Sequence, residues 1–300
     1  MHEMELLEGL RQADFAETLA EVEGQVDLLA FSPPYENART YGADVAWVFE
    51  DYQRLGDAVK RALRPDGGQC LMVLDGPVRD YRGDGYTERS VMPWRVLLDW
   101  RDRLGLVVPD RLSYARNGQS GLFPQGFRNG WEPALWFATP GTRSMNQTAV
   151  GYTSVARSYR RAATGRAADG SSRPGRSPRT IPEIAAPSND WYYHAVGPGN
   201  GGPTENENHP ARFPYRLARD IVKCFSNPGD LVVDPFLGSG TTLIAALDHG
   251  RRFFGGDLLA RPDDGELWID IAERIARDRY AQRKLFEPPG TAPKVEQLTL

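Results

Sequence analysis

The sequence predicts an α/β fold, with a mostly parallel central sheet covered by helices, and three observations carry that prediction. Near the start, two short apolar runs, VDLLAF and QCLMVLD, bracket a segment with helical spacing. Near the end, LVVDPFLGSGTTLIAALDHGRRFFGGDL reads as strand, glycine-rich turn, helix and strand. Strands that are apolar throughout are buried on both faces, and such strands joined by helices build parallel sheets.

Each element can be justified in chain order. Val26 to Phe31 forms a strand that must stop at Ser32-Pro33-Pro34-Tyr35, because proline lacks the N–H that a sheet ladder needs. Phe49, Tyr52, Leu55, Val59 and Leu63 then recur at helical spacing, and Pro65-Asp66-Gly67-Gly68 ends that helix. QCLMVLD is a second buried strand, and MPWRVLLDWRDRLGL is a helix from Pro93 onward. VVPDRLSYARN and EPALWFATPG read as strands, with Glu132 to Thr139 the clearer one. PYRLARDIVKCFSNPGD places Leu217, Ile221, Val222 and Phe225 on one helical face and ends at Asn227-Pro228-Gly229. After the glycine-rich unit, ELWIDIAERIARDRYAQRKL is an amphipathic helix and FEPPGTAPKVEQLTL a loose tail.

The middle differs. From about Pro140 to Pro203 the chain is rich in Gly, Ser, Pro and Arg, and RAADGSSRPGRSPRT cannot build a core. Gly165 to Thr180 is expected to be flexible, and the arginines are placed to order on a polyanion. Trp131 and Trp136 read as core or rim aromatics, and Trp191, Tyr192 and Tyr193 as packing residues rather than base-stacking ones.

Composition bounds the function. A chain of 300 residues suffices for one large α/β domain or two smaller ones. The net charge of −4 supplies no overall basic field, so contact with a polyanion must come from a local face. Cys70 and Cys224 sit far apart in apolar runs without metal-ligand spacing, which suits reduced core residues in a cytoplasmic protein. His2, His194, His209 and His249 are scattered, and no metal site is expected. The start, MHEMELLEGLRQADFAETL, is acidic and amphipathic, unlike a signal peptide. No apolar run approaches the ~20 residues needed to cross a bilayer, so no membrane partner is expected.

The strongest local signal is VVDPFLGSGTT. Its glycines permit a tight turn and close approach of backbone to a ligand. Asp234 ends one strand, and Asp257 ends the next, where an acid is placed to bind ribose hydroxyls. No lysine follows the glycines, so this is not a P-loop, and Gly238-Ser239-Gly240 followed by Thr241-Thr242-Leu243 does not fit G-x-G-x-x-G. A carboxylate at position 234 would repel a pyrophosphate and suits a cationic ligand. Asp234, the glycines and Asp257 together favour S-adenosylmethionine. Asp257 can also be read as a helix cap or a surface acid.

With these residues in place, DPFLGSGTT and SPPY together resemble the amino-methyltransferases that modify exocyclic nitrogens of DNA bases. SPPY precedes DPFLGSGTT by roughly two hundred residues, an order that resembles the family's β class. NHPARFPYRLARDIVKCFSNPGDLVVDPF, NGWEPALWF and ALRPDGGQCLMVL resemble further family segments. The resemblance covers roughly residues 20–140 and 205–280, and residues 141–202 match nothing in it.

The resemblance implies a Rossmann-like methyltransferase fold, with helices on both faces of the sheet. Residues 1–140 would be its catalytic half and 141–204 an inserted target-recognition region. Residues 205–285 would be its cofactor half, and 286–300 a tail. It implies that Asp234, Pro235, Phe236, Gly238, Ser239, Gly240, Thr241 and Asp257 hold S-adenosylmethionine, helped by Phe213 and His209, the latter read as structural. Ser32 and the Pro33 carbonyl would accept hydrogen bonds from a base NH2, with Pro34 stiffening the shelf and Tyr35 stacking on a flipped-out base. Arg39, Arg157, Arg160, Arg161, Arg173, Arg176 and Arg179 would contact double-stranded DNA. Serine at the first motif position favours cytosine N4 over adenine N6. No cysteine adjoins the motif, so the residues do not support a covalent route. The alternatives are methylation of an RNA base or a protein amide, and a DNA-binding module without activity. A monomer or homodimer is expected, with a cognate restriction endonuclease as a candidate partner.

Overall fold

The computed structural model describes residues 8–36, 47–79, 83, 85, 87–116, 130–153, 165, 166, 169, 171–173, 184–193, 214–261 and 264–286. The main sheet has eight strands in the order β1-β14-β13-β2-β3-β7-β6-β12. These are β1 (Leu10–Arg11), β2 (Leu28–Phe31), β3 (Gln69–Val73), β6 (Arg111–Arg116), β7 (Trp131–Ala138), β12 (Asp190–Tyr193), β13 (Leu231–Asp234) and β14 (Arg252–Gly256). Among the described residues, three two-stranded ribbons accompany the sheet: β4 (Val78–Arg79) with β5 (Glu88–Arg89), β8 (Tyr152–Thr153) with β11 (Ile184–Ala185), and β9 (Gly165–Arg166) with β10 (Ser172–Arg173). The helices are α1 (Phe15–Ala20), α2 (Phe49–Ala62), α3 (Met92–Asp102), α4 (Tyr215–Phe225), α5 (Thr241–Asp248) and α6 (Trp268–Phe286).

Strand residues alternate between two cores. Leu28, Ala30, Leu71, Val73 and Val232 face α4, α5 and α6. Leu29, Phe31, Cys70, Met72, Leu231 and Val233 face α1, α2 and α3. Successive side chains of a strand point to opposite faces, so an unbroken apolar run such as LLAF is what a strand covered on both sides requires. Burying each large side chain contributes about 1.5–3 kcal/mol over leaving it exposed. Cys70 and Cys224 are buried free thiols, as expected.

The topology creates a crevice. From β2 the chain passes through α2 to β3 on one side, whereas from β13 it passes through α5 to β14 on the other. Strands β2 and β13 are parallel neighbours, paired at Leu28 with Val232 and Leu29 with Val233. The order of the sheet therefore reverses between them, and ligands of open α/β sheets bind outside the carboxyl ends of strands at such a point.

The sequence reading did not assign β1, α1 or the ribbons β8–β11 and β9–β10 of the middle; two further features bear on the site. Strand β7 runs antiparallel to both β3 and β6, so its first residues reach the edge where the parallel strands end. Strand β12 adds an eighth strand from the arginine-rich middle, parallel to β6, with Trp191 buried in the core. The sequence reading assigned the middle no strand, because four residues flanked by turn formers carry too little periodicity to register. Of Gly165 to Thr180, the segment expected to be flexible, only 165, 166, 169 and 171–173 are among the described residues. The tail at 287–300 lies outside them.

Candidate functional site

The glycine-rich turn leaves β13 at Asp234. Leu237 N–H donates to the Gly256 carbonyl and Gly240 N–H to the Leu237 carbonyl, both at 3.0 Å. Gly240 caps α5 with φ of +84°, a left-handed conformation that disfavours any side chain. A Cβ there would also lie 2.8 Å from the Ala272 Cβ of α6, so the glycine lets the turn nest on that helix. Ser239 and Thr241 are buried beside it.

Two acids flank the turn. Asp257 accepts hydrogen bonds from Gly238 N–H at 2.7 Å and Leu259 N–H at 2.8 Å, one on each carboxylate oxygen. It therefore braces the glycine turn, a role distinct from the helix cap and the surface acid that the sequence also allowed. Burial raises its pKa. Asp234 is 4% exposed and accepts Phe236 N–H at 2.9 Å. Burial pushes its pKa up to about 7, against the bonds from Thr242 and Phe236, and the charge of Asp257 adds to the rise. No cation enters that balance among the described residues. Ionising Asp234 therefore calls for a cationic group beside it, and a cation bound in the crevice would supply one. These carboxylate acceptors suit a sulfonium with an amino group better than a phosphate.

Phe236 packs its ring among Phe15, Phe31 and Trp47, with centroids 5.5 to 5.8 Å away. The hydroxyl of Thr242, at the start of α5, lies 3.3 Å from the Ala30 carbonyl of β2 and so sets the glycine turn against the neighbouring strand.

On that strand, Ser32-Pro33-Pro34-Tyr35 follows Phe31 directly. The Pro34 carbonyl accepts a 2.8 Å hydrogen bond from the Tyr52 hydroxyl of α2. The indole N–H of Trp100, on α3, in turn donates to the Tyr52 carbonyl at 3.0 Å. The Tyr35 hydroxyl donates to Glu132 Oε2 at 2.8 Å, and Ser32 Oγ lies 3.4 Å from the same hydroxyl. Burial, and then the charge of Glu132, hold the Tyr35 phenol well above its ordinary pKa, so it stays protonated. Glu36 accepts from Ser90 Oγ at 2.7 Å, and Ser90 Oγ also accepts Met92 N–H at the start of α3.

The fold thus brings Ser32, Pro33, Pro34 and Tyr35 beside Asp234, Pro235, Phe236, Gly238, Ser239, Gly240, Thr241 and Asp257, at the ends of paired strands. Phe213, His209, Arg39, Arg157, Arg160, Arg161, Arg176 and Arg179 lie outside the described residues, and Arg173 lies in β10. Sequence reasoning gave no site role to Glu132, Tyr52, Thr242 or Ser90. Glu132 carried a signal, since it is the one acid in WEPALWFA, a strand otherwise apolar enough to be buried. Trp136 is core and Trp131 a 45% exposed rim residue, as the sequence suggested.

A parallel sheet with one antiparallel strand, helices on both faces and two strand-end motifs at the switch point make this a Rossmann-like methyltransferase fold. Solved structures share it. A PvuII DNA methyltransferase, cytosine-N4-specific, superposes with a TM-score of 0.58 at 21% identity, covering 89% of this chain and 92% of that one. A Thermus thermophilus protein crystallised with S-adenosyl-L-methionine gives 0.56 at 24% identity, covering 90% and 93%. The chain belongs to the N6/N4 DNA methylase family, whose model matches residues 26–261. It is 25% identical over 275 residues to the orphan methyltransferase M.BamHII of Bacillus amyloliquefaciens, covering 88% of this chain and 94% of that protein. A shorter stretch of 81 residues is 51% identical to the DNA adenine methyltransferase YhdJ of Escherichia coli, covering 27% and 28%.

Proposed function

We propose that this protein transfers a methyl group from S-adenosylmethionine to an exocyclic amino nitrogen of a base flipped out of double-stranded DNA. The observation that carries the reading is the pairing of β2 with β13, which sets SPPY and DPFLGSGTT side by side. Asp234 and the turn from Gly238 to Thr241 would hold the cofactor, with Asp257 holding the turn itself. S-adenosylmethionine, when bound, supplies an electrophilic methyl on a sulfonium.

The exocyclic nitrogen is a poor nucleophile because its lone pair is delocalised into the ring. Ser32 Oγ and the Pro33 carbonyl would accept its N–H groups and favour a tetrahedral geometry. The proline pair, with Tyr52 fixing Pro34, keeps those acceptors in place before the substrate arrives. Tyr35 would offer its ring face to the base.

Cytosine N4 is the finer reading, supported by serine at the first position of the motif. Adenine N6 is the second, supported by the local match to an adenine methyltransferase. The arginine-rich middle is proposed to contact phosphates, in which case DNA affinity falls steeply with salt. The deciding experiment offers methyl-labelled S-adenosylmethionine with DNA, RNA and protein, followed by nucleoside analysis. Label in N4-methylcytosine is expected; label in N6-methyladenine replaces the finer reading, and no label in DNA sinks the proposal.

A further inference from the structure

We infer that Glu132 is a positioning residue that fixes which way the hydroxyl of Ser32 points, and so makes the pocket select an amino group over a keto group. The inference rests on the reading of SPPY as the base-activating motif. Glu132 is 6% exposed and reaches the catalytic edge because β7 is antiparallel. Its carboxylate only accepts hydrogen bonds, so the Tyr35 hydroxyl 2.8 Å away must spend its one proton on Glu132. The phenol oxygen then has only lone pairs left to offer. Ser32 Oγ, 3.4 Å away, can meet those lone pairs only by donating. That contact is long for an O–H···O bond, and hydrogen bonds of this kind commonly tighten once substrate is bound.

The consequence falls on the side of Ser32 that faces substrate. With its proton committed to Tyr35, Oγ presents lone pairs alone. A serine is ordinarily ambivalent, able to donate to a keto oxygen or accept from an amine. Here the chain Glu132–Tyr35–Ser32 removes the choice. Cytosine N4 and adenine N6 carry NH2 groups, whereas thymine O4 and guanine O6 are acceptors. A keto base in this pocket would set oxygen against oxygen, and leaving buried polar groups unmatched is a strong means of rejection. A charged acceptor at the end of the chain makes the polarity firm, since charge-assisted bonds are roughly twice as strong as neutral ones.

Variants at Glu132, Tyr35 and Ser32 test this on unmethylated genomic DNA with labelled S-adenosylmethionine. Glu132→Gln can present either an acceptor or a donor to Tyr35, and Tyr35→Phe removes the middle of the chain while keeping an aromatic ring. Each is expected to lower kcat by about 10- to 100-fold with less than a twofold change in the Kd for S-adenosylmethionine. The double variant should be no worse than Tyr35→Phe alone, because both break one chain. Ser32→Asp combined with Glu132→Gln should recover at least tenfold of the loss, since an aspartate accepts without instruction. A Glu132→Gln enzyme within twofold of wild type, multiplying losses in the double variant, or no recovery with Ser32→Asp overturns the inference. A wild-type protein that labels no DNA defeats instead the reading on which it rests. If Glu132→Gln does not fold, Tyr35→Phe with and without Ser32→Asp decides the matter alone.

Discussion

The turn after β13 is held by its own neighbourhood: Gly238 and Leu259 amides on Asp257, Phe236 N–H on Asp234, and Gly240 nested on Ala272. The tetrapeptide after β2 is held by side chains from Tyr52 and Glu132, and Glu36 just beyond it by Ser90, which lie 18, 97 and 54 residues from the groups they bind. The first site takes the hydrogen bonds that hold its backbone from the motif and the strand end beside it, and leans on α6 at Ala272. The second is assembled by the packing of α2, α3 and β7. Damage far from the crevice should therefore silence chemistry before it touches cofactor binding.

Trp100→Ala gives the largest expected effect. Trp100 is fully buried, lies 4.8 Å from Phe137 between ring centroids, and holds the Tyr52 backbone. Its removal should cost about 3–5 kcal/mol, read from urea unfolding. If the comparison is right, the folded fraction still binds S-adenosylmethionine while methyl transfer is lost; parallel loss of both would break it. Gly240→Ala is the converse. Its φ of +84° and the 2.8 Å approach to Ala272 should cost about 1–3 kcal/mol and weaken cofactor affinity, measured by calorimetric titration. Wild-type affinity in that variant would show that the turn does not hold the cofactor.

The same contrast decides what could be read from sequence. DPFLGSGTT announces a turn because its glycines, its acid and its strand are contiguous, and the run of residues alone implies the backbone path. The SPPY strand end was equally visible. Its supports were not, because a hydrogen bond between Tyr35 and Glu132 depends on β7 running antiparallel, and no local pattern encodes strand direction. Strand β12 escaped for a related reason: Trp191, Tyr192 and Tyr193 favour a strand, but four residues show no period, and only the pairing with β6 defines them as one. Helices α2 to α6 were legible because their apolar spacing is local, as in Tyr52, Leu55 and Val59 of α2, whereas the six residues of α1 were too few to register.

Asp234 offers a smaller effect with a definite sign. Its folded pKa of about 7 lies above the ordinary 3.8, so between those values the native state keeps a proton that the unfolded chain releases. Stability of the ligand-free protein should therefore fall as pH rises across that window. A cationic ligand prefers the ionised form, so affinity for S-adenosylmethionine should rise with pH, by up to about tenfold per unit below pH 7. Asp234→Asn should flatten both profiles. A wild-type affinity that stays level or falls from pH 5 to 7 would remove Asp234 from the cofactor's charge balance and weaken the case for a self-sufficient turn.

Tyr52→Phe is the smallest change and isolates the remote support most cleanly. The ring remains in the core, and the loss centres on the 2.8 Å bond to the Pro34 carbonyl. Stability should drop by about 1 kcal/mol, the net worth of one such bond. Methyl transfer should slow several-fold through kcat, with cofactor affinity unmoved, because Pro34 is freed while the glycine turn keeps its own braces. Trp100 reaches Pro34 through Tyr52, so the kcat losses of Tyr52→Phe and Trp100→Ala should not multiply when combined. Independent losses would mean that Trp100 acts on the shelf by another path, and the chain from α3 through α2 to the motif would have to be redrawn.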